Sequence, residues 1–300
     1  MTNITKYPYV LSLLEALLVT FLWSSSYVLI KLGLAELPPL AFAATRYSLA
    51  FLILLAVGIF KRTPEPRIEL GRREWSMLIV MGVAGYAVAQ GLQFVGLFYL
   101  PAVTTTFLLN FTPIFVSLLG AVLLGETPTK TQFVGISIAL AGAYAYSLTP
   151  IKLNEIFGVL VVLASGLSWA VYLVVARNFQ RANILGTHRL TTITMGLGAI
   201  VLLVSAVMFE GMPKISWSGW VIIGWLSLVN TALAFYLWNR TLKRLKAYEI
   251  SVIQNTMLIQ ISLLAWLFLK ERPTDNTIIG IALVLLGVGL VQFHRNRSSC

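Results

Sequence analysis

Apolar residues fill long, almost uninterrupted runs of this chain, and most charged residues fall in the short stretches between the runs. A run of about 20 apolar residues is long enough to cross the roughly 30 Å hydrocarbon core of a bilayer as an α-helix. Such runs occupy residues 9–32, 39–60, 75–97, 102–124, 132–149, 156–176, 188–209, 218–239, 247–269 and 277–293. The pattern therefore predicts an all-α integral membrane protein with ten transmembrane helices.

The composition is that of a surface facing lipid. Of the 300 residues, 58% are hydrophobic and 11% are charged, and the mean hydropathy is +0.85; soluble domains carry about 25% charged residues. The net charge of +11 does not indicate a nucleic-acid partner, because the basic residues lie in short loops and not in a basic soluble segment. We expect the lipid bilayer, and no nucleic acid, as the partner of this surface.

The distribution of lysine and arginine predicts the orientation of the helices. Loops on the side of the N-terminus carry 16 of the 22 basic residues, the opposite side carries 5, and Arg46 alone lies inside a predicted span. Cytoplasmic loops are enriched in these residues, so both termini are predicted to be cytoplasmic and the protein to lie in the cytoplasmic membrane. The first apolar run lacks a small-residue cleavage site, so we expect a retained helix and not a signal peptide.

Residues 1–150 and 151–300 have similar sequences, which indicates an internal repeat. At an offset of 145 residues, five pairs of polar, proline or glycine residues coincide: Asn110 with Asn255, Glu126 with Glu271, Pro128 with Pro273, Gly135 with Gly280, and Gly142 with Gly287. Trp23 and Trp169 correspond at an offset of 146. Because each half has an odd number of predicted helices, the second unit is inverted relative to the first, an arrangement typical of secondary transporters.

Three stretches resemble the EamA type of the drug/metabolite transporter superfamily: "FLWSSSYVLIK" at 21–31, "PPLAFAATRYSLAFLIL" at 38–54 and "LLGE" at 123–126. The resemblance covers nearly the whole chain. It implies ten helices in two inverted five-helix repeats and transport of small metabolites, with amino acids, drugs and other solutes among the family's substrates. The second half departs from the pattern, because "FLKE" replaces "LLGE" and the seventh span has no counterpart of Arg46. Any role of Arg46 therefore belongs to the first half alone.

Two ionisable side chains lie well inside predicted spans, Glu15 in the first and Arg46 in the second. A charge there is costly unless it faces a cavity or a partner. The alternatives for Glu15 are a structural carboxyl group, neutral or reaching the inner interface, and a role in proton coupling or solute contact. The alternatives for Arg46 are bonds to backbone carbonyls of other helices and binding of a solute carboxylate or phosphate. A direct ion pair between the two would have to bridge a depth difference of about 10 Å.

Polar side chains mark one face of the third span and part of the eighth. Tyr86, Gln90 and Gln93 are four and three residues apart, so they share a helix face that points away from lipid. Asn230 and Tyr236 are the corresponding candidates in the eighth span. For each residue, contact with a solute competes with hydrogen bonding between helices.

Asn110 and Asn255 occupy equivalent positions in the two halves, and Pro113 follows the first of them within one turn. Proline removes a backbone donor and frees a carbonyl, so it is expected to loosen the fourth span. The asparagines either flank a central site or join helices by hydrogen bonds.

An aromatic pair from each half completes the candidate site. Trp169 and Tyr172 share a face of the sixth span and mirror Trp23 with Ser26 or Tyr27 of the first. They predict an apolar cavity with a few polar groups, the usual form of a small-molecule site; the alternative is that they only fill the core. The three serines that follow Trp23 are expected to return their hydroxyl groups to carbonyls one turn back.

Two glutamates and four glycines of the repeat are expected to be structural. Glu126 and Glu271 each stand two residues before a proline at a helix-to-helix turn, where they would cap the next helix. The glycines at 135 and 142, and at 280 and 287, are seven residues apart on one helix face and allow close helix packing.

The sequence lacks the motifs of common enzyme sites, including HExxH, GxSxG and the P-loop. The single cysteine, Cys300, allows neither an internal disulfide nor a thiolate cluster. We therefore expect no catalytic residue, no metal and no cofactor.

We predict a secondary active transporter that moves a small amphipathic metabolite, an amino acid or a related compound, by alternating access. The resemblance favours export, and protons acting through Glu15 are the candidate coupling ion. One alternative is an exporter of hydrophobic drug-like or cationic compounds in the same fold. In other classes, the alternatives are a membrane-embedded enzyme and a non-transporting receptor or scaffold.

Overall fold

The computed structural model describes residues 9–61, 70–100, 102–147, 155–211, 213–269 and 275–297, and these residues contain helices and no β-strand. The helices are α1 (Tyr9–Gly33), α2 (Pro39–Lys61), α3 (Arg72–Met81), α4 (Ala89–Tyr99), α5 (Ala102–Leu109), α6 (Thr112–Leu124), α7 (Lys130–Ser147), α8 (Ile156–Ala182), α9 (Thr187–Phe209), α10 (Trp217–Ser227), α11 (Ala234–Thr241), α12 (Ala247–Gln254), α13 (Met257–Leu269) and α14 (Asp275–Arg297). Glu271, Pro273 and Cys300 lie outside the described residues. The all-α class predicted from the apolar runs is confirmed.

Six described helical stretches are long and apolar enough to cross a membrane: Tyr9–Tyr27, Pro39–Phe60, Arg72–Tyr99, Ile156–Ala182, Thr187–Phe209 and Trp217–Thr241. Thr112–Leu124 and Ile278–Val291 are shorter apolar helices. Large apolar side chains such as Leu55, Val122 and Phe209 are exposed on the outside of the bundle. In water such a surface would be unfavourable, whereas in a bilayer it contacts lipid.

A short connection makes α1 and α2 run in opposite directions. Only residues 34–38 separate α1 from α2, and a short link of this kind joins antiparallel neighbours. We call the end of the bundle at which α1 begins the proximal end, and the opposite end the distal end.

Two helices are broken at equivalent places in the two halves. Asn110 and Phe111 separate α5 from α6, and Asn255 and Thr256 separate α12 from α13. The bounds of α12 and α13 lie 145 residues after those of α5 and α6. Pro113 lies in the first turn of α6, where a missing N–H group leaves no bond unmade. Because the second break contains no proline, an asparagine is the feature that both breaks share.

Two π-helical segments also recur at an offset of 146 residues. The first, Gly82–Val88, joins α3 to α4, and the second, Leu228–Leu233, joins α10 to α11. A π-helix shifts the backbone bonds by one residue and leaves some carbonyls for other donors. In the first half, two serines of α8 donate to carbonyls in or next to this segment: Ser168 to the Ala84 carbonyl at 3.0 Å and Ser165 to the Ala89 carbonyl at 2.7 Å.

Glycines join α7 to α14, as the repeat predicts. A Cβ atom on Gly142 would lie 2.7 Å from both the carbonyl oxygen of Gly280 and the amide nitrogen of Val284. A Cβ atom on Gly135 would lie 2.8 Å from the carbonyl oxygen of Gly287. Any side chain at these positions would therefore push the two helices apart, and the predicted close packing is confirmed.

The expectation that Glu126 caps the next helix is wrong. Its Oε1 accepts a bond from Arg177 Nε at 3.2 Å and lies 3.5 Å from Arg181 Nη1. The start of α7 is capped instead by Thr129 and Gln132, which exchange bonds between side chain and backbone N–H at 3.0 and 3.3 Å. The arginines of α8 are stronger partners for a carboxylate than neutral N–H groups that already have a cap.

Candidate functional site

A cavity lies in the middle of the bundle, among α1, α2, α4, α5, α8 and the break between α12 and α13. Its volume is about 40 Å³, which holds a few water molecules at about 10–15 Å³ each. Of the 15 residues that line it, none is acidic. Six of the residues singled out from the sequence are in its wall: Trp23, Tyr27, Arg46, Gln90, Gln93 and Trp169.

Arg46 is the charged residue of the wall. Its Nε donates to the Thr231 hydroxyl at 2.7 Å, and its Nη2 donates to the Asn230 carbonyl at 3.3 Å. The rings of Tyr47 and Phe94 lie 5.6 and 5.8 Å from its Cζ atom, within range of a cation–π interaction. Within the described part of the chain, no carboxylate forms an ion pair with Arg46.

The predicted alternatives for Arg46 are not mutually exclusive in this geometry. The bond to the Asn230 carbonyl is the structural role expected from the sequence. Nη1 makes no bond to the described residues, and the side chain borders the cavity. A guanidinium group with uncommitted N–H groups can still bind a carboxylate in a bidentate manner.

Asn230 stands behind the wall and joins three helices. Its carbonyl, in the second π-helical segment, accepts bonds from Arg46 and from Trp23 Nε1, the latter at 3.1 Å. Its side-chain amide donates to the Leu22 carbonyl and to the Ser25 hydroxyl. These bonds tie α1 and α2 of the first half to the second half.

The first helix behaves as its serines predict. Ser24, Ser25 and Ser26 donate to backbone carbonyls three or four residues earlier, at 2.6–2.7 Å. Each buried hydroxyl group thus has a hydrogen-bond partner, and the prediction for the three serines is confirmed.

An aromatic layer closes the proximal side of the cavity, formed by Trp23, Trp169, Tyr172, Phe235 and Trp238. The two corresponding tryptophans meet edge to face, with 5.9 Å between ring centroids. Tyr172 stacks on Trp169 at 4.6 Å, and Trp238 lies 4.7 Å from Trp23.

The amide side chains of the wall have donor and acceptor atoms without hydrogen bonds to the described residues. Gln93 donates to the Tyr27 hydroxyl at 3.2 Å, which leaves its Oε1 without a donor among the described residues. Gln254 accepts from Trp169 Nε1 at 2.9 Å and keeps its Nε2 free of described acceptors. Gln90 makes no hydrogen bond within the described ranges. The wall therefore offers both donors and acceptors to a solute.

Tyr86 and Tyr172 belong to a buried network on the proximal side of the cavity. Their hydroxyl groups lie 3.2 Å apart, and Tyr172 donates to Asn239 Oδ1 at 2.7 Å. The Asn239 amide donates to Tyr86 and to Thr191. These tyrosines therefore join helices and do not line the cavity wall, although the Tyr172 ring supports Trp169.

Glu15 and Tyr236 lie near the proximal end, away from the cavity. The carboxylate of Glu15 is paired with the guanidinium group of Arg240, whose Nε is 3.1 Å from Oε2. The Tyr236 ring lies 5.5 Å from the Arg240 Cζ atom. The alternative of a direct pair between Glu15 and Arg46 is therefore wrong, because Arg240 on α11 lies at the depth of Glu15.

The two asparagines of the helix breaks flank the cavity through their neighbours. Leu109 and Gln254, which precede Asn110 and Asn255, line the wall. Asn110 donates to the Thr106 carbonyl at 2.6 Å, whereas the buried amide nitrogen of Asn255 has no acceptor among the described residues. The breaks thus border the site on both sides.

The sequence argument missed Tyr47 and Phe94, which flank Arg46 in the wall. Tyr47 directly follows Arg46, but only the tertiary packing shows that its ring lies beside the cation. In the part of the chain that the structure describes, no group of His, Cys, Asp or Glu side chains is arranged to hold a metal ion.

The chain is similar to known transporters along its whole length. A model of the EamA-like transporter family matches residues 10–148 and again residues 156–293. The chain is 24% identical over 285 residues to the uncharacterized transporter YoaV of Bacillus subtilis (strain 168), covering 93% of this chain and 96% of the relative. It is 24% identical over 291 residues to a probable amino-acid metabolite efflux pump of Escherichia coli (strain K12), covering 93% of both. One protein of known crystal structure shares the fold, with a TM-score of 0.80 at 20% identity over 94% of this chain and 98% of that one.

Proposed function

Because this chain belongs to the EamA-like transporter family, we propose that it is a secondary active transporter that exports an amino acid or a related small amphipathic metabolite by alternating access. The chain is a multi-pass protein of the cell membrane. The family indicates a transporter, and the residues of the cavity wall favour one class of solute over others.

The proposed architecture has ten transmembrane helices in two inverted five-helix repeats, residues 1–150 and 151–300, with both termini cytoplasmic. The two successive matches of the family model support this division. The helix breaks and π-helical segments that recur at offsets of 145 and 146 residues support it as well. In this arrangement the proximal end of the bundle is the cytoplasmic end.

The observation that carries the proposal is the cation in the cavity wall. Arg46 is buried, borders the cavity and lacks an acidic partner in the described part of the chain. A solute carboxylate would supply the missing charge and two acceptors in the geometry that a guanidinium group prefers. The carbonyl of Gln93 and the aromatic faces can accept an ammonium group, and the tryptophans can contact an apolar side chain.

Two other solute classes fit the wall less well. A purely cationic compound would meet Arg46 and find no carboxylate among the 15 lining residues, so like charges would repel it. A purely hydrophobic compound would leave Arg46 and the amides without partners. The similarity to a probable amino-acid metabolite efflux pump of Escherichia coli agrees with a carboxylate-bearing solute.

Alternating access requires the proximal side of the site to open. The aromatic layer and two ion pairs, Glu15 with Arg240 and Glu126 with Arg177, join helices of the two halves on that side. We propose that these contacts separate when the cavity opens to the cytoplasm and re-form when it opens outwards.

Counterflow into liposomes tests the role of Arg46. Liposomes containing the purified protein and an excess of unlabelled neutral L-amino acids should accumulate the same amino acids in labelled form. Arg46→Gln should abolish the accumulation, whereas Arg73→Gln, at an exposed site in the first turn of α3, should not. Absence of counterflow in the unmodified protein would refute the amino-acid assignment, and full counterflow in Arg46→Gln would refute the carboxylate site.

Proton coupling through Glu15 is the second part of the proposal. Its carboxylate lies beyond the aromatic layer from the cavity and pairs with Arg240, so protonation would release this contact between the halves. Glu15→Gln should lower amino-acid flux driven by a pH gradient and leave counterflow, which needs no gradient, intact. Unchanged gradient-driven flux in Glu15→Gln would exclude this residue as the coupling site.

A further inference from the structure

We propose that the protein works as an exchanger, which crosses between its two orientations much faster with a carboxylate-bearing solute than without one. The inference rests on the proposed function, since it concerns the same cavity and the same arginine. It concerns a different property, because a transporter can carry amino acids without any need for a returning solute.

The charge balance of the cavity is the starting point. A guanidinium group has five N–H bonds, and two of those on Arg46 donate to Thr231 and to the Asn230 carbonyl. The remaining three have no acceptor among the described residues. The rings of Tyr47 and Phe94 offer only the weaker attraction of an aromatic face. The site without solute therefore carries one unneutralised positive charge.

No acidic side chain of the described residues forms an ion pair with Arg46. Glu15 is held by Arg240, and Glu126 is held by Arg177 and Arg181, all on the proximal side of the aromatic layer. Glu15 lies eight residues before Trp23 on α1, a distance of about 12 Å along the helix. Among the described residues, these two buried carboxylates are thus committed to other arginines and do not neutralise Arg46.

The cost of this charge depends on the conformation. In a cavity open to water, the three free N–H groups of Arg46 are hydrated. Any change from one orientation to the other passes through a closed cavity, and at about 40 Å³ the cavity has room for a few water molecules only. Burial of an unpaired cation is unfavourable, and a carboxylate bonded to the guanidinium group removes most of that penalty. The loaded protein should therefore reorient faster than the unloaded one.

Efflux with and without solute on the far side measures this difference directly. Liposomes containing the protein are loaded with tritiated leucine, threonine and phenylalanine, then diluted into buffer with or without the unlabelled amino acids. We expect efflux to be about tenfold faster or more when the amino acids are present outside, a ratio that corresponds to about 1.4 kcal/mol. The amides of the same amino acids, which lack the carboxylate, should not accelerate efflux.

Variants separate the charge from the rest of the site. Arg46→Gln should show no acceleration of efflux by external amino acids, because it removes both the binding partner of the carboxylate and the charge that penalises the unloaded protein. Arg73→Gln should keep the ratio of the unmodified protein. If Arg46→Gln does not fold, the comparison of amino acids with their amides in the unmodified protein still decides the question.

The failures of the two proposals are distinguishable. Equal efflux with and without external amino acids would overturn the exchange mechanism and leave amino-acid transport standing. Acceleration by the amides equal to that by the amino acids would overturn the role of the carboxylate in exchange. Absence of efflux under both conditions would overturn the transport proposal together with the inference.

Discussion

Replacement of Gly287 by alanine should destabilise the protein, because at this residue α14 packs against the backbone of α7. An added Cβ atom would lie 2.5 Å from the amide nitrogen of Ala139 and would also overlap the carbonyl oxygen of Gly135. Backbone atoms cannot rotate away as a side chain can. The helices would have to separate by about 1 Å to restore a contact distance of about 3.5 Å.

Gly289 provides a matched control on the same helix. A Cβ atom at Gly289 would have no neighbour within 4 Å, so Gly289→Ala gains helix propensity, about 0.5–1 kcal/mol, without a clash. Gly287→Ala gains the same propensity and also overpacks the interface, which typically costs about 1–3 kcal/mol. The difference between the two variants therefore isolates the overpacking, about 1–3 kcal/mol in the free energy of unfolding.

Thermal unfolding in detergent, followed by the fluorescence of the 8 tryptophans, measures this difference without knowledge of the solute. At a common scan rate, the midpoint of Gly287→Ala should fall below that of Gly289→Ala by roughly 2–10 °C. Gly142→Ala, at the other close approach of the same two helices, should show a loss like that of Gly287→Ala. Equal midpoints for the two α14 variants would refute the backbone packing of α7 against α14.

Three further predictions concern the site and its supports. Trp23→Ala and Trp169→Ala should each lower counterflow by about tenfold, since each removes an indole of the wall whose contact with a solute is worth about 1.5 kcal/mol. The yield of both variants in the membrane fraction should stay the same. Unimpaired counterflow in both variants would show that the tryptophans do not belong to the site. Arg177→Gln should cost about 3–5 kcal/mol because it removes the buried partner of the Glu126 carboxylate and leaves only the 3.5 Å contact with Arg181. Arg181→Gln, at a side chain that is 52% exposed, should cost about 0–1 kcal/mol; similar unfolding midpoints would contradict the assignment of the buried pair. Tyr172→Phe should cost about 1–3 kcal/mol because it removes the 2.7 Å donor of a buried amide oxygen, and a midpoint equal to that of the unmodified protein would show that the bond contributes nothing.

The positions of the helices could be predicted because apolar composition decides which segments enter a bilayer. The predicted span 9–32 corresponds to Tyr9–Gly33, and 39–60 corresponds to Pro39–Lys61. Apolar composition does not show where the backbone is irregular inside a span. The run 102–124 is apolar enough to predict one continuous span, yet the helix stops at Leu109 and begins again at Thr112, because a break depends on local donors for the freed carbonyls and not on hydropathy.

Several residues of the candidate site could also be predicted from the sequence. Charged, amide and tryptophan side chains are rare within apolar runs, so Arg46, Gln90 and Trp23 stood out before their position in the cavity wall was known. The partners were not predictable. Glu15 meets Arg240 from 225 residues away, and only the packing of α1 against α11 determines that contact.

The second π-helical segment determines the directions in which the side chains after it on the same helix point. A π-helix accommodates one residue more than an α-helix over the same rise, so deletion of a single residue from Leu228–Leu233 would restore α-helical winding. Each residue of an α-helix corresponds to a turn of about 100°. Trp238 would then rotate away from Trp23, and Arg240 would rotate away from Glu15. The fit of the aromatic layer and its adjoining ion pair thus depends on the residue count of one segment deep in the membrane.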